Sequence, residues 1–263
     1  MLSPVFGQEV AILSYNIRYN SSSDGLDLWD LRKTDLIDQI KEIDPISIGV
    51  QEATLTQMKD LEAGLPEYDY IGVGRDDGAT KGEFSAIFYK KNELQVLQED
   101  TFWLSETPKK VSVGWDAALP RICTYAFFEH KSSKNHFWHF NTHFDHMGVK
   151  ARSESAKLIV SQIASLVSAG ETIILSGDFN AEPHEEPVLI LKNSFEDPAD
   201  KVGVEGPFGT FSGFQLDATL DRRIDHIFIK GLSVINYQHL TTRRTNGRWI
   251  SDHLPIVLSI ELN

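Results

Sequence analysis

The sequence predicts an α/β fold in which two β-sheets pack together with helices on the outside. Apolar, strand-like runs recur along all 263 residues. Helical spacing appears only early and in the middle of the chain. Elsewhere strands follow one another directly, which argues for packed sheets rather than a repeating strand–helix unit. The chain is 41% hydrophobic and 24% charged, so one domain has enough apolar side chains for a large core. No internal repeat, low-complexity tract or domain-separating linker interrupts it.

Residues 10–17 form an apolar run and read as a buried strand. Leu36, Ile37, Ile40 and Ile43 recur at helical spacing, which predicts a helix over 30–43. A short buried strand is expected at 46–50, and a second helix at 54–61. Gly, Asn, Lys and Pro then punctuate strands at 68–73, 85–90, 94–104, 122–129 and 137–142. Ala156, Ile159, Ile163, Leu166 and Val167 mark one face of a long helix that ends near Gly170. A strand at 172–175 and a short helix at 185–191 follow. Strands at 210–211, 223–229, 233–240 and 254–260 complete the order. The domain spans 10–263, with 1–9 as an N-terminal tail. That tail is weakly apolar and reads either as the remnant of a secretory leader or as a native terminus. The first reading implies export to the periplasm or medium, the second a cytoplasmic protein.

Polar signatures stand at the ends of the apolar runs. They are Ser14-Tyr15-Asn16, Gln51-Glu52, Asn141-Thr142-His143, Gly177-Asp178-Phe179-Asn180, Ile224-Asp225-His226 and Ser251-Asp252-His253. Each alone is ordinary turn chemistry. Together they offer Asn, Glu, Asp and His but no Cys, a set that suits a hard oxygen-liking cation with imidazoles beside it. Strand ends from distant segments can converge on one rim, so the set points to phosphoryl chemistry.

Asn16 and Glu52 are candidate metal ligands; a strand-end cap and a helix N-terminal charge are the bland readings. Asp178 and Asn180 lie two apart on what reads as extended chain, so both face one side. The carboxylate takes a proton from water or orients it, while the amide holds the attacking oxygen or the phosphate. A capping turn is the competing explanation. Asp225 is expected to orient His253 and keep it cationic, with Asp252 facing the metal and His226 turned away as a structural residue. His143 is the other imidazole. Glu83 is its candidate partner, and Arg121 a two-pronged phosphate contact. Surface ion pairs explain both as readily. Arg243, Arg244 and Arg248 read as a solvated charged loop rather than an anion-collecting rim.

The lone Cys123 excludes an intrachain disulfide and, inside an apolar run, reads as an inert core thiol. A net charge of −13 without a basic block weighs against tight binding of duplex DNA or other long nucleic acid. It permits phosphate esters, because a divalent cation and a few Arg residues reverse the field at one site. No apolar run approaches the roughly 18 residues of a membrane span.

These signatures, in this order, resemble the endonuclease/exonuclease/phosphatase superfamily. The likeness runs from Ser14-Tyr15-Asn16 to Ser251-Asp252-His253, nearly the whole chain. That group includes pancreatic-type deoxyribonucleases, abasic-site endonucleases, neutral sphingomyelinases, inositol polyphosphate 5-phosphatases and mRNA deadenylases. The resemblance implies a four-layered α/β sandwich of two packed, mainly antiparallel sheets flanked by helices. It implies magnesium or manganese at Glu52, helped by Asn16 and Asp252. It implies that Asp178 and Asn180 activate the nucleophile, and that His253 with Asp225 contacts the reacting phosphate. His143, Arg121 and Glu83 match phosphate-side positions, and Asn141 is placed with them on the substrate side. Asp178 and His253 share the acid–base role, usually worth about 10²–10⁴-fold. The basic DNA-gripping loop of abasic-site enzymes is missing, as is the leucine-rich repeat of deadenylases.

The expected activity is hydrolysis of a small or single-stranded phosphate ester by a monomeric enzyme. A nuclease-like diesterase, including a 3′–5′ exonuclease, stands ahead of a phosphomonoesterase of sugar or inositol phosphates. A metallo-β-lactamase-type zinc hydrolase is a distant alternative: Asn141 stands where that signature needs its first His. A binding module that kept the scaffold without chemistry is the non-enzyme alternative.

Overall fold

The structure, a computed structural model, describes residues 8–262. The leader reading of the terminus falls mainly on residues outside that span. Gln8 and Glu9 belong to the domain rather than to a tail, because they pair with Leu262 and Glu261.

The chain order is β1 (Gln8–Asn16), α1 (Trp29–Ile43), β2 (Ser47–Ala53), α2 (Leu55–Gly64), β3 (Tyr68–Ile71), β4 (Phe84–Lys90) and β5 (Leu94–Trp103). There follow β6 (Ile122–His130), β7 (His136–His143), α3 (Val149–Leu166), β8 (Ile173–Asp178), α4 (Glu186–Lys192) and α5 (Pro198–Val202). The last strands are β9 (Asp225–Lys230), β10 (Ser233–His239) and β11 (Ile256–Leu262). One sheet runs β10-β11-β1-β2-β4-β3 and the other β5-β6-β7-β8-β9. Most neighbours are antiparallel. Each sheet holds one parallel pair, β1 with β2 and β7 with β8.

Strand alternation builds the layers. Val10 and Ile12 of β1, with Ile87 of β4, face Phe128, Phe137 and Ile227 of the second sheet. Leu13 and Tyr15 face the other way, onto Leu36 and Ile40 of α1 and Met58 and Leu61 of α2. On the far side Phe140 and Leu175 meet Ala156, Ile159 and Ile163 of α3 and Val188 and Leu191 of α4. Helix, sheet, sheet and helix therefore stack in four layers.

Among the differences from the sequence reading, three have a clear physical cause. α3 opens at Val149, well before its apolar face, because Asp116 from a distant loop accepts from Ala151 N at 2.6 Å and Lys150 N at 3.2 Å. Residues 210–211 are no strand; Phe211 makes a single bridge to His253. α5 went unforeseen, being one short turn set by Pro198 and by Asp197, which accepts from Ala199 N.

Candidate active site

The two parallel pairs decide where the chemistry gathers. Parallel neighbours end at the same edge, so Asn16, Glu52, His143 and Asp178 arrive together from β1, β2, β7 and β8. β9 runs antiparallel and therefore begins at that edge, which sets Asp225 beside Asp178. His143, Asp178 and Asp225 stand in one register row across three strands. Asp252 and His253 come from the turn just before β11. Glu52, His143, Asp178, Asp252 and His253 line a cleft of about 520 Å³, within the usual size of a small-molecule site, and Asn16 and Asp225 are buried behind them. A groove of about 620 Å³ beside α1 contains no imidazole, and its Lys90 is tied to Asp44 and Glu93.

The centre is dense. Asp225 Oδ2 lies 2.8 Å from His253 Nδ1 and accepts from Thr210 Oγ1 at 2.6 Å. Asp178 Oδ2 lies 3.4 Å from His143 Nε2 and 3.8 Å from His253 Nε2. The two imidazoles are driven apart in charge. Burial opposes protonation of His253, yet Asp225 and Asp178 hold its pKa well above the ordinary value. Burial, reinforced by Arg121 and Arg75, pushes His143 well below. Burial and the neighbouring Asp225 raise Asp178 to about 7. Burial also lifts Asp252, to about 6, against the pull of His253 and with Glu52 adding to the rise. Environments that separate titratable groups in this way mark catalytic clefts. Glu52 and Asn180 add backbone strain, with φ of +64° and +45°.

Several expected roles change. Asn16 turns its amide nitrogen, not its oxygen, to the acids: Nδ2 donates to Glu52 at 3.1 Å and Asp178 at 2.9 Å. Its Oδ1 accepts from Arg18 N at 3.0 Å, and Asn16 thus bridges the two carboxylates in this arrangement. Asn180 reaches the cleft through a left-handed turn rather than an extended chain. Its N–H donates to Asp178 Oδ1 at 2.9 Å, and its amide nitrogen lies 3.1 Å from His143 Nε2. Glu83 is held by Arg75 through bonds of 2.7 and 2.9 Å, leaving His143 Nδ1 at 3.9 Å. Two charged bonds outweigh one long contact with a neutral imidazole. Asn141 does not meet the cleft. It is fully buried, donates to the carbonyls of Val50 and Ala86, and accepts from Gln51 at 2.7 Å. Arg121 lines the cleft with Nε on Asp145 at 3.3 Å and Nη2 on His146 at 3.1 Å. Its Nη1 is buried without a partner among the described residues.

The cleft also recruits Arg18, Tyr19, His146, Phe211 and Arg222, which the sequence reading had left aside. Arg222 stacks on Phe211 at 5.4 Å, a Phe-Arg relation across eleven positions with no periodic signal. Arg243, Arg244 and Arg248 are structural: Arg243 lies 3.6 Å from the Trp249 ring centroid, and the other two bind Asp27.

The donor set fits a hard divalent cation. Glu52, His143 and Asp178 offer ligand atoms within 4.8 Å of one another. Asp178 and Asp252 carry a burial cost that a cation would relieve, and the only Cys lies buried in β6.

A profile described as the endonuclease/exonuclease/phosphatase family matches residues 13–253. A crystal structure of an endonuclease/exonuclease/phosphatase family protein from Bacteroides thetaiotaomicron superposes with a TM-score of 0.92 at 37% identity, covering 98% of this chain and 99% of that one. A mannosyl-6-phosphatase from the same organism superposes at 0.91 with 38% identity, covering 95% and 99%. An uncharacterized protein of Acanthamoeba polyphaga mimivirus is 31% identical over 251 residues, covering 89% of this chain and 92% of that protein.

Proposed function

The chain belongs to the endonuclease/exonuclease/phosphatase family of metal-dependent phosphoesterases, and we propose that its substrate is a phosphate monoester of a small sugar. The observation that carries this reading is Arg121. Its side chain is 4% exposed, and its buried Nη1 has no partner among the described residues. An orphaned guanidinium N–H at a cleft wall asks for an anionic acceptor. A terminal phosphate carries about −1.5 to −2 charges at neutral pH, more than the single charge of a diester. His253, held cationic, and Arg222 on the β9 side extend the positive lining. The likeness to a mannosyl-6-phosphatase at 38% identity over nearly both chains favours the same substrate class. The net charge of −13 disfavours a long polyanion. This order reverses the sequence expectation, which put a diesterase first.

Glu52 and Asp252 would hold the cation, magnesium or manganese, which when bound supplies charge neutralisation at the reacting phosphate. Arg121 and His143 grip the non-bridging oxygens. Asp178, with Oδ2 3.4 Å from His143 Nε2 and 3.8 Å from His253 Nε2, is placed to accept the proton of the attacking water. Asn180 braces Asp178 through its backbone N–H. His253, backed by Asp225 at 2.8 Å, faces charge that develops on phosphorus-bound oxygen and shares the acid–base role with Asp178. The deciding experiment compares hexose 6-phosphates, bis-p-nitrophenyl phosphate and short oligonucleotides with each cation. The proposal expects the highest kcat/KM on a hexose phosphate. A preference for oligonucleotides would overturn it in favour of the diesterase.

A further inference from the structure

Arg32 of α1 is fully buried, yet every acceptor it uses is a backbone carbonyl. Nε donates to Asp27 O at 2.9 Å. Nη1 donates to Ile17 O at 2.5 Å and Ile250 O at 3.3 Å, and Nη2 to Arg18 O at 2.7 Å. The rings of Trp29 and Phe214 lie 5.0 and 5.7 Å from its Cζ. Burial pulls its pKa down to about 10, so it stays charged at neutral pH. Sinking a guanidinium this deep is expensive, and packing alone would be served better by a hydrocarbon side chain.

The carbonyls show what the arrangement achieves. Ile17 and Arg18 directly follow Asn16, and Ile250 directly precedes Ser251-Asp252-His253. One rigid, planar group thus grips the two segments one residue behind the site. Ser251 Oγ adds a second tie, donating to Asn16 O at 2.7 Å. We propose that Arg32 is a positioning residue for the metal site, locking the end of β1 and the turn before β11 in one register so that Glu52 and Asp252 face the same point. Glu52 joins this frame because its Oε2 accepts from Tyr19 N at 3.0 Å, on the stretch Arg32 holds. The inference rests on the reading that Glu52 and Asp252 hold the cation.

The test is the affinity for Mn²⁺, read by electron paramagnetic resonance of the free ion, on the full chain. Arg32→Lys keeps the charge but cannot span four carbonyls. It is expected to weaken Mn²⁺ binding by about 10–100-fold, as loss of a supporting partner behind a ligand does. Arg244→Gln is the control. Arg244 is also buried, bonds Leu26 O at 3.0 Å and Leu31 O at 2.6 Å, and does not reach either site segment. It should lower thermal stability and leave Mn²⁺ affinity unchanged. If Arg32→Lys does not fold, Ser251→Ala removes the second tie between these segments, together with a 3.4 Å contact to Asp252 Oδ1, and should weaken binding several-fold. Unchanged affinity in whichever of these two variants is read, or an equal loss in Arg244→Gln, would overturn the proposal. A wild-type chain that binds no Mn²⁺ would instead sink the assignment of the metal site.

Discussion

His139 offers a clean test of the packing between the sheets. It is fully buried, with Nδ1 2.7 Å from Ser47 Oγ and Nε2 2.9 Å from Ser176 Oγ. Burial pushes its pKa down to about 3, against about 6.5 in an unfolded chain. The folded state therefore holds a neutral ring, and the unfolded state takes a proton below pH 6.5. The stability this supplies is complete above 6.5 and drains away as pH falls towards 3. At 1.36 kcal/mol per unit the ceiling is about 5 kcal/mol, of which about 2 kcal/mol is gone by pH 5. Other groups titrate over the same range, so the measurement is a difference against His139→Gln, which carries hydrogen-bonding groups but no proton equilibrium. Urea denaturation at pH 8 should find the variant about 1–3 kcal/mol less stable, the cost of disturbed buried hydrogen bonds. At pH 5 the gap should shrink by about 2 kcal/mol. A gap independent of pH would refute the claim that the ring is held neutral.

Asp178→Asn should cut turnover by at least about 10²–10⁴-fold, while raising the melting temperature of the metal-free protein at pH 8. Burial and Asp225 raise the carboxyl to about 7, against about 3.9 in an unfolded chain, so the cost to stability grows from about pH 4 and is complete above about 7; a lower melting temperature would contradict this. Arg121→Ala should raise KM about 10–100-fold with a smaller effect on kcat, by loss of a charge-assisted bond worth about 1.5–3 kcal/mol, which steady-state kinetics on the preferred monoester will read. Gly49→Ala would put a Cβ 2.2 Å from Ser176 Oγ and 2.5 Å from Asn141 Oδ1, and urea midpoints should show a loss of about 1–3 kcal/mol from overpacking.

Much of the fold was legible because the strands are apolar and period-two. β1, β2, β4 and β6 to β8 fall close to their expected places, and α1 follows its row of Leu36, Ile37 and Ile40. The unread parts depend on distant partners. The start of α3 is fixed by Asp116, 35 positions from Ala151. β9 begins only at Asp225, because Arg223 is drawn off to Asp197 at 2.6 Å. The site shows the same division. Asp225 and His253, 28 positions apart, could be paired on paper from tautomer chemistry. That Arg75 would claim Glu83 could not, since Arg75 carries no mark separating it from a surface charge.

The sequence by itself determined which side chains stand at strand ends, and hence the kind of donors available: oxygens and imidazoles, acidic in sum, without thiolates. Only the tertiary structure decided what each donor does. The two parallel pairs bring four strand ends to one edge, Glu52 and Asp178 turn the Asn16 amide nitrogen towards them, and Asn141 is withdrawn between the sheets to satisfy the carbonyls of Val50 and Ala86. The physical reason is that a buried polar atom must be paired, and its partner here comes from a segment tens to hundreds of residues away, where local pattern carries no information.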